Sequence, residues 1–191
     1  MLSSTVLLGF AYFEAYIRDV VDDACKALCS SGIRADAIPI NLRIHVSIVA
    51  HIKKLSEIRD PAKQMKQIEV MRSNGMLDIL DDANVPVRID VDALLSGVTY
   101  PKPDNIRRLL ARIGVANPKA ELISRGGHSI EQKLTSIHDV RAELAHTGVM
   151  PSWTTSDYEM RLGGLEEFAK TFDKILHRHV IGVVPSTNWV V

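Results

Sequence analysis

Apolar residues recur every three to four positions along most of this chain, the spacing of helices that each turn one face inward. Between Thr5 and Leu28 no proline intervenes, and Phe10, Ile17, Val21, Ala24 and Leu28 mark one stripe of a long first helix. Ser30-Ser31-Gly32 closes it, and Pro39 with Asn41 opens a second helical pattern through Leu42, Val46, Val49 and Ile52 to about Ile58. Asp60-Pro61 has the order of a cap followed by a first-turn proline and predicts a third helix, interrupted at Gly75. Residues 81–103 hold three prolines and a glycine and read as an irregular excursion, in which residues 85–91 have the composition of a short strand. Asp104 is placed to cap a short helix through Leu109, Leu110 and Ile113 that Gly114 closes. Two more helices are predicted, from Ser129 to about Ala145 and from Asp157 to about His179. Gly148 and Pro151 stop the first; Thr155-Ser156-Asp157 starts the second, whose stripe is Phe168, Phe172, Ile175 and Leu176.

This pattern predicts an all-α, single-domain helical bundle over residues 1–182, with a tail at 183–191. At 191 residues the chain buries a core without disulfides or a structural metal, and 46% hydrophobic with 24% charged residues excludes a disordered chain. Lys plus Arg and Asp plus Glu both number 23, so no overall basic field draws the molecule to nucleic acid and any RNA contact must be local. The apolar N-terminal stretch is soon broken by Glu14 and Arg18, which argues against a leader or a membrane span and for a cytoplasmic protein. Cys25 and Cys29 stand four residues apart on the first helix. With His45 and His51 they would make four zinc donors, but the spacing matches no ordinary ligand pair, and core packing explains the cysteines without a metal.

Two charges fall where apolar residues belong. On the helix from Ser129, Ile130, Leu134, Ile137 and Leu144 point within roughly 40° of one direction, and Arg141 falls in the same arc. An inward arginine must bury its stem and find partners for its head. On the first helix Glu14 lies in the arc of Phe10, Ile17, Val21 and Leu28. Opposite charges offset each other's desolvation, so Glu14 and Arg141 are expected to approach, as a structural ion pair or as parts of one site. His146 lies five positions after Arg141, about 140° round an ideal helix, so the two do not share a narrow face. Either the last turn before Gly148 loosens and swings the imidazole round, or two copies pack this helix across a two-fold axis and each Arg141 and His146 recurs in one shared cleft.

Arg141-Ala-Glu-Leu-Ala-His146-Thr-Gly148 resembles the Arg-four residues-His motif of the HEPN superfamily, found in toxins, antiphage systems and the RNase domains of CRISPR effectors. Phe13-Glu14, the segment from Asp104 to Gly114 and the motif's place in the penultimate helix resemble the RiboL-PSP branch in particular. The resemblance implies a helical HEPN-like bundle that forms a homodimer, with paired motifs making a metal-independent endoribonuclease site that needs no cofactor. Arg141 and His146 would be catalytic, with Glu14 in support. Many members carry Asn, Asp or His directly after the arginine, where this chain has Ala142; Glu143 and His138 are the nearby polar residues able to stand in.

In such a site the imidazole, with a free pKa of about 6.5, would move protons near neutrality, and the guanidinium would bind phosphate oxygens. Expected products are 2′,3′-cyclic phosphate and 5′-hydroxyl ends. The alternatives are a non-catalytic HEPN module that dimerises and binds a partner protein or nucleotide, and a toxin held inactive by a neighbouring antitoxin. Arg107, Arg108 and Arg112 make a basic helix face that would either steer a phosphate backbone or simply be solvated. His45, His51, His128, His177 and His179 are scattered and read as surface or core residues.

Overall fold

The computed structural model describes residues 2–98, 101–148 and 152–183. All regular structure among them is helical: α1 (Leu2–Ser30), α2 (Ile40–Ile44), α3 (Ala50–Ser56), α4 (Pro61–Ser73), α5 (Val91–Leu95), α6 (Pro103–Ile113), α7 (Pro118–Gly126), α8 (Ile130–Thr147) and α9 (Thr155–Val183). A π-helical turn, His45–Val49, joins α2 to α3, so the predicted second helix is one run with a wide turn inside it.

The centre is built by α1, α8 and α9, with α6 and α7 closing one side. Phe10, Phe13, Ile17, Val21 and Leu28 from α1 meet Phe168, Phe172, Ile175 and Leu176 from α9 and Ile130, Leu134 and Ile137 from α8 in one cluster. Full burial of each such side chain stabilises by about 1.5–3 kcal/mol, which is what fixes the α1, α8 and α9 stripes against one another. Phe13 meets Phe168 edge-on, with ring centroids 5.9 Å apart.

Local chemistry sets the helix ends. Asp60 accepts from the Ala62 amide with Pro61 at the first position of α4, as the sequence predicts. At the start of α9, Thr154 Oγ1 accepts from the Asp157 amide while Asp157 accepts from the Thr154 amide, a reciprocal cap that begins one residue earlier than predicted. Gly114 ends α6 at φ 107°; a Cβ there would stand 2.4 Å from Pro39 Cβ, so the turn and the close approach both demand glycine.

One expectation is corrected, and two short helices lie outside the predicted pattern. Residues 81–90 are irregular, as expected, and the excursion holds one short helix, α5, which Asp90 caps by accepting from the Ala93 amide. Asp104 is not the cap of α6, because Pro103 already occupies the first turn and Lys102 the cap position. The apolar pattern gives no sign of α7, which Asn117 caps by accepting from the Ala120 amide. Pro151 and residues 184–191, including almost all of the expected tail, lie outside the described residues.

Candidate functional site

The site grows from the seam between α1 and α8. Ile130, Leu134, Ile137 and Leu144 are buried, which locks the rotation of α8 and carries Arg141 onto the seam, where it is half-buried. Its guanidinium carbon lies 5.5 Å from the centroid of the Phe10 ring, a cation–π contact with a core residue that is 1% exposed. One turn along α1 from Phe10 stands Glu14. Its Oε1 is out of solvent without a hydrogen-bond partner. Burial pushes the Glu14 carboxyl up from its ordinary value, and the positive charge of Arg141 partly opposes this. The two misplaced charges of the sequence thus act on each other, through the field rather than through a hydrogen bond to Oε1.

His138 sits one turn before Arg141 and uses the same aromatic ring: the His138 and Phe10 centroids are 6.0 Å apart at 43°. Its Nδ1 is buried with no hydrogen-bond partner. Burial lowers the His138 pKa, Asp139 works against the shift, and the charges of Lys102 and Arg141 add to it. The residue lines a cleft of about 520 Å³ between the start of α6 and α8, with Lys102, Arg107, Thr135 and Asp139. Glu14 lines a second cleft, of about 460 Å³, between α1, α5 and α6, with Arg18, Asp92 and Asn105.

His146 is elsewhere. It is exposed, and α8 continues through it to Thr147, where the Gly148 amide donates to the Leu144 carbonyl and Gly148 turns into the left-handed region. The last turn therefore does not loosen, and the imidazole keeps the orientation an ordinary helix gives it, well round from Arg141. Within one chain the structure brings Arg141 together with Glu14 and His138, and leaves His146 apart.

A family model of the RiboL-PSP-HEPN description matches residues 1–178. The chain belongs to that family. Membership places it among nuclease-like or RNA-binding modules, and HEPN domains often bind RNA and dimerise. No curated protein and no solved structure matches it.

In this HEPN domain the basic face of α6 is largely committed to structure. Arg107 donates to both carboxylate oxygens of Glu131 at 3.1 Å and also pairs with Asp104. Arg112 donates to the carbonyls of Leu94 and Ser96, tying α6 to the end of α5. Arg108 is exposed. Of the remaining histidines, His179 Nε2 lies 3.0 Å from the Ile113 carbonyl, His45 and His51 are half-buried, and His128 is exposed. No group of three or more potential metal ligands exists among the described residues, and buried Cys25 has its thiol pushed up by burial. No helix among them is long and apolar enough to cross a membrane.

Sequence reasoning gave His138 only as a substitute for the polar residue absent at Ala142. The signal for more was present, since His138 and Arg141 are three residues apart and so neighbours on one helix face. It missed Phe10 as the platform under both, because a buried phenylalanine looks the same in sequence whether or not cations stack on it.

Proposed function

We propose that this RiboL-PSP-HEPN domain is a metal-independent endoribonuclease of toxin or antiphage type, whose site is completed when two copies pack α8 against α8. The observation that carries the reading is the division of the motif: Arg141 lies on the inner seam over Phe10, while His146 of the same helix is exposed. A two-fold axis beside the C-terminal half of α8 gives each Arg141 a His146 from the other copy.

In the reaction, the RNA 2′-hydroxyl attacks the adjacent phosphorus. A bond from O2′ to phosphorus forms, the bond from phosphorus to O5′ breaks, the 2′-hydroxyl proton leaves to a base and O5′ takes a proton from an acid. The products are a 2′,3′-cyclic phosphate and a 5′-hydroxyl. In each site the His146 of the other copy takes the 2′-hydroxyl proton and delivers a proton to O5′. Arg141 holds the non-bridging oxygens as negative charge builds, and Glu14 orients Arg141.

Purified protein incubated with total RNA in EDTA tests this. Cleavage by the wild type, and none by Arg141→Ala or His146→Ala, is the expected result. Mixing the two inactive variants discriminates further: statistical exchange of protomers makes half the dimers mixed, each with one intact site of two, so about a quarter of the activity returns. Full activity in either single variant refutes the assignment.

A second reading rests on Ala142 and on the separation of His146 from Arg141 within the chain. The module would then bind RNA, a nucleotide or a partner protein without cutting. Absence of cleavage together with RNA binding that Arg141→Ala abolishes selects it.

A further inference from the structure

The residue nearest to Arg141 in function is on the same turn face, and its nitrogen chemistry is constrained by its surroundings. His138 and Arg141 share the Phe10 ring, at 6.0 Å and 5.5 Å from its centroid. Phe10 is held by the core, so two hydrogen-bonding heads rest on one rigid plate. His138 also lines the cleft between α6 and α8, whose other wall carries exposed Lys102.

The imidazole's two nitrogens are not equivalent. Nδ1 is out of solvent and has no hydrogen-bond partner. A proton there would strand a buried donor, which native structures tolerate less readily than an under-used acceptor. The proton of the neutral ring therefore belongs on Nε2. The charged and titratable groups around the ring are Lys102, Asp104, Arg107, Glu131, Asp139 and Arg141. Burial, Lys102 and Arg141 favour the neutral form, and Asp139 opposes them.

We propose that His138 is a third catalytic residue of the ribonuclease site, donating a hydrogen bond from Nε2 to a non-bridging oxygen of the scissile phosphate that Arg141 also grips. It neither takes nor gives a proton in the reaction; it is a neutral donor to developing negative charge, a role that imidazole fills well when it stays uncharged. The inference rests on the ribonuclease reading for its chemistry. It also accounts for Ala142. On an ideal helix His138 lies about 60° and Ala142 about 100° from Arg141 in the same rotational sense, so His138 puts a polar atom on the flank that Ala142 leaves apolar.

The test has two arms, both on the full-length protein. In the first, nitrogen-detected NMR of the histidine rings at pH 7, assigned with His138→Gln, reads the tautomer. It is repeated with an RNA oligonucleotide whose 2′-hydroxyls are all methylated, so that no cleavage occurs. The expected result is a neutral ring protonated on Nε2, with that proton moving downfield on saturation. A proton on Nδ1, a charged ring, or no movement overturns the proposal, whether or not the protein cuts RNA.

In the second arm, His138→Ala is expected to lower kcat about 100-fold, the usual effect of losing one donor to a developing oxyanion, while His138→Gln, which keeps an N–H, loses less. Sulfur in place of one non-bridging oxygen should slow the wild type and leave His138→Ala with no further loss. An unchanged rate in His138→Ala, or an equal sulfur effect in both, overturns the role of His138 while the Arg141 and His146 reading stands. A wild type that cuts nothing removes that reading and leaves the first arm to judge whether His138 donates to phosphate.

Discussion

Replacing Glu14 with glutamine removes a charge while keeping the side chain's length and shape, and it is expected to stabilise the protein while weakening its activity. The carboxyl has one oxygen out of solvent with no hydrogen-bond partner, and its pKa is raised by burial against the opposing pull of Arg141. A raised carboxyl pKa means that folding disfavours the ionised form. The penalty is full above the folded pKa and vanishes below the unfolded value, near 4.5. Glutamine leaves the buried oxygen without a partner and removes only the charge; because Glu14 is only half-buried and Arg141 already offsets part of the ionised form's desolvation, the gain is small, about 1 kcal/mol. For a chain of this size that is a gain of about 2–4 °C in Tm at pH 7. Thermal denaturation of wild type and Glu14→Gln from pH 7 down to pH 4 should show the two melting curves converging on acidification. Arg141→Met should do the reverse at pH 7, since it leaves Glu14 ionised without its counter-charge. RNA cleavage by Glu14→Gln should fall about 10- to 100-fold, as expected for a misplaced guanidinium. A variant less stable than wild type at pH 7, by a margin unchanged at pH 4, would refute this account of Glu14.

Three further outcomes test the frame that holds the site. Gly114→Ala places a Cβ 2.4 Å from Pro39 Cβ at a φ of 107°, and should cost about 2 kcal/mol or more, read as a fall in urea midpoint. Leu134→Ala, at a position that is 0% exposed between α1 and α9, should cost about 2–5 kcal/mol by the same measurement. Asn117→Ala removes the cap of α7 and should cost about 1 kcal/mol, with faster amide exchange confined at first to residues 119–122.

Much of the fold can be read from the chain because α1, α6, α8 and α9 each carry a long apolar stripe, and a stripe is a statement about one helix alone. The missed α7 is the instructive exception. Its nine residues bury fully only Leu122, so periodicity has nothing to register, and the Asn117-Pro118 start was its sole local sign. Residues 85–90 have the composition of a strand but stay irregular, because alternation of apolar residues counts only when a neighbouring strand exists to pair with. Asp104 has the residue type of a cap, but Pro103 starts α6 two residues earlier than a cap at Asp104 would allow.

The site divides in the same way. Arg141 and Glu14 were legible because each breaks a stripe, and a charge in an apolar arc must be compensated. The fates of Arg107 and Arg112 were not legible, since their partners Glu131 and the carbonyls of Leu94 and Ser96 lie on other helices. Nor could a sequence disclose that His138 and Arg141 meet on one ring, which depends on the rotation of α1 against α8.

That ring has a thermodynamic consequence. Phe10 belongs at once to the core cluster and to the contact surface of Arg141, so holding Arg141 in place and keeping the middle of α1 folded are linked equilibria. By reciprocity, an anion that binds better when Arg141 rests on Phe10 must also suppress local opening of α1. Slowed amide exchange around Phe10 and Phe13 would therefore report occupancy of the site from backbone groups that touch no ligand, and a loosened core at Phe168 or Phe172 would be felt as weaker anion affinity.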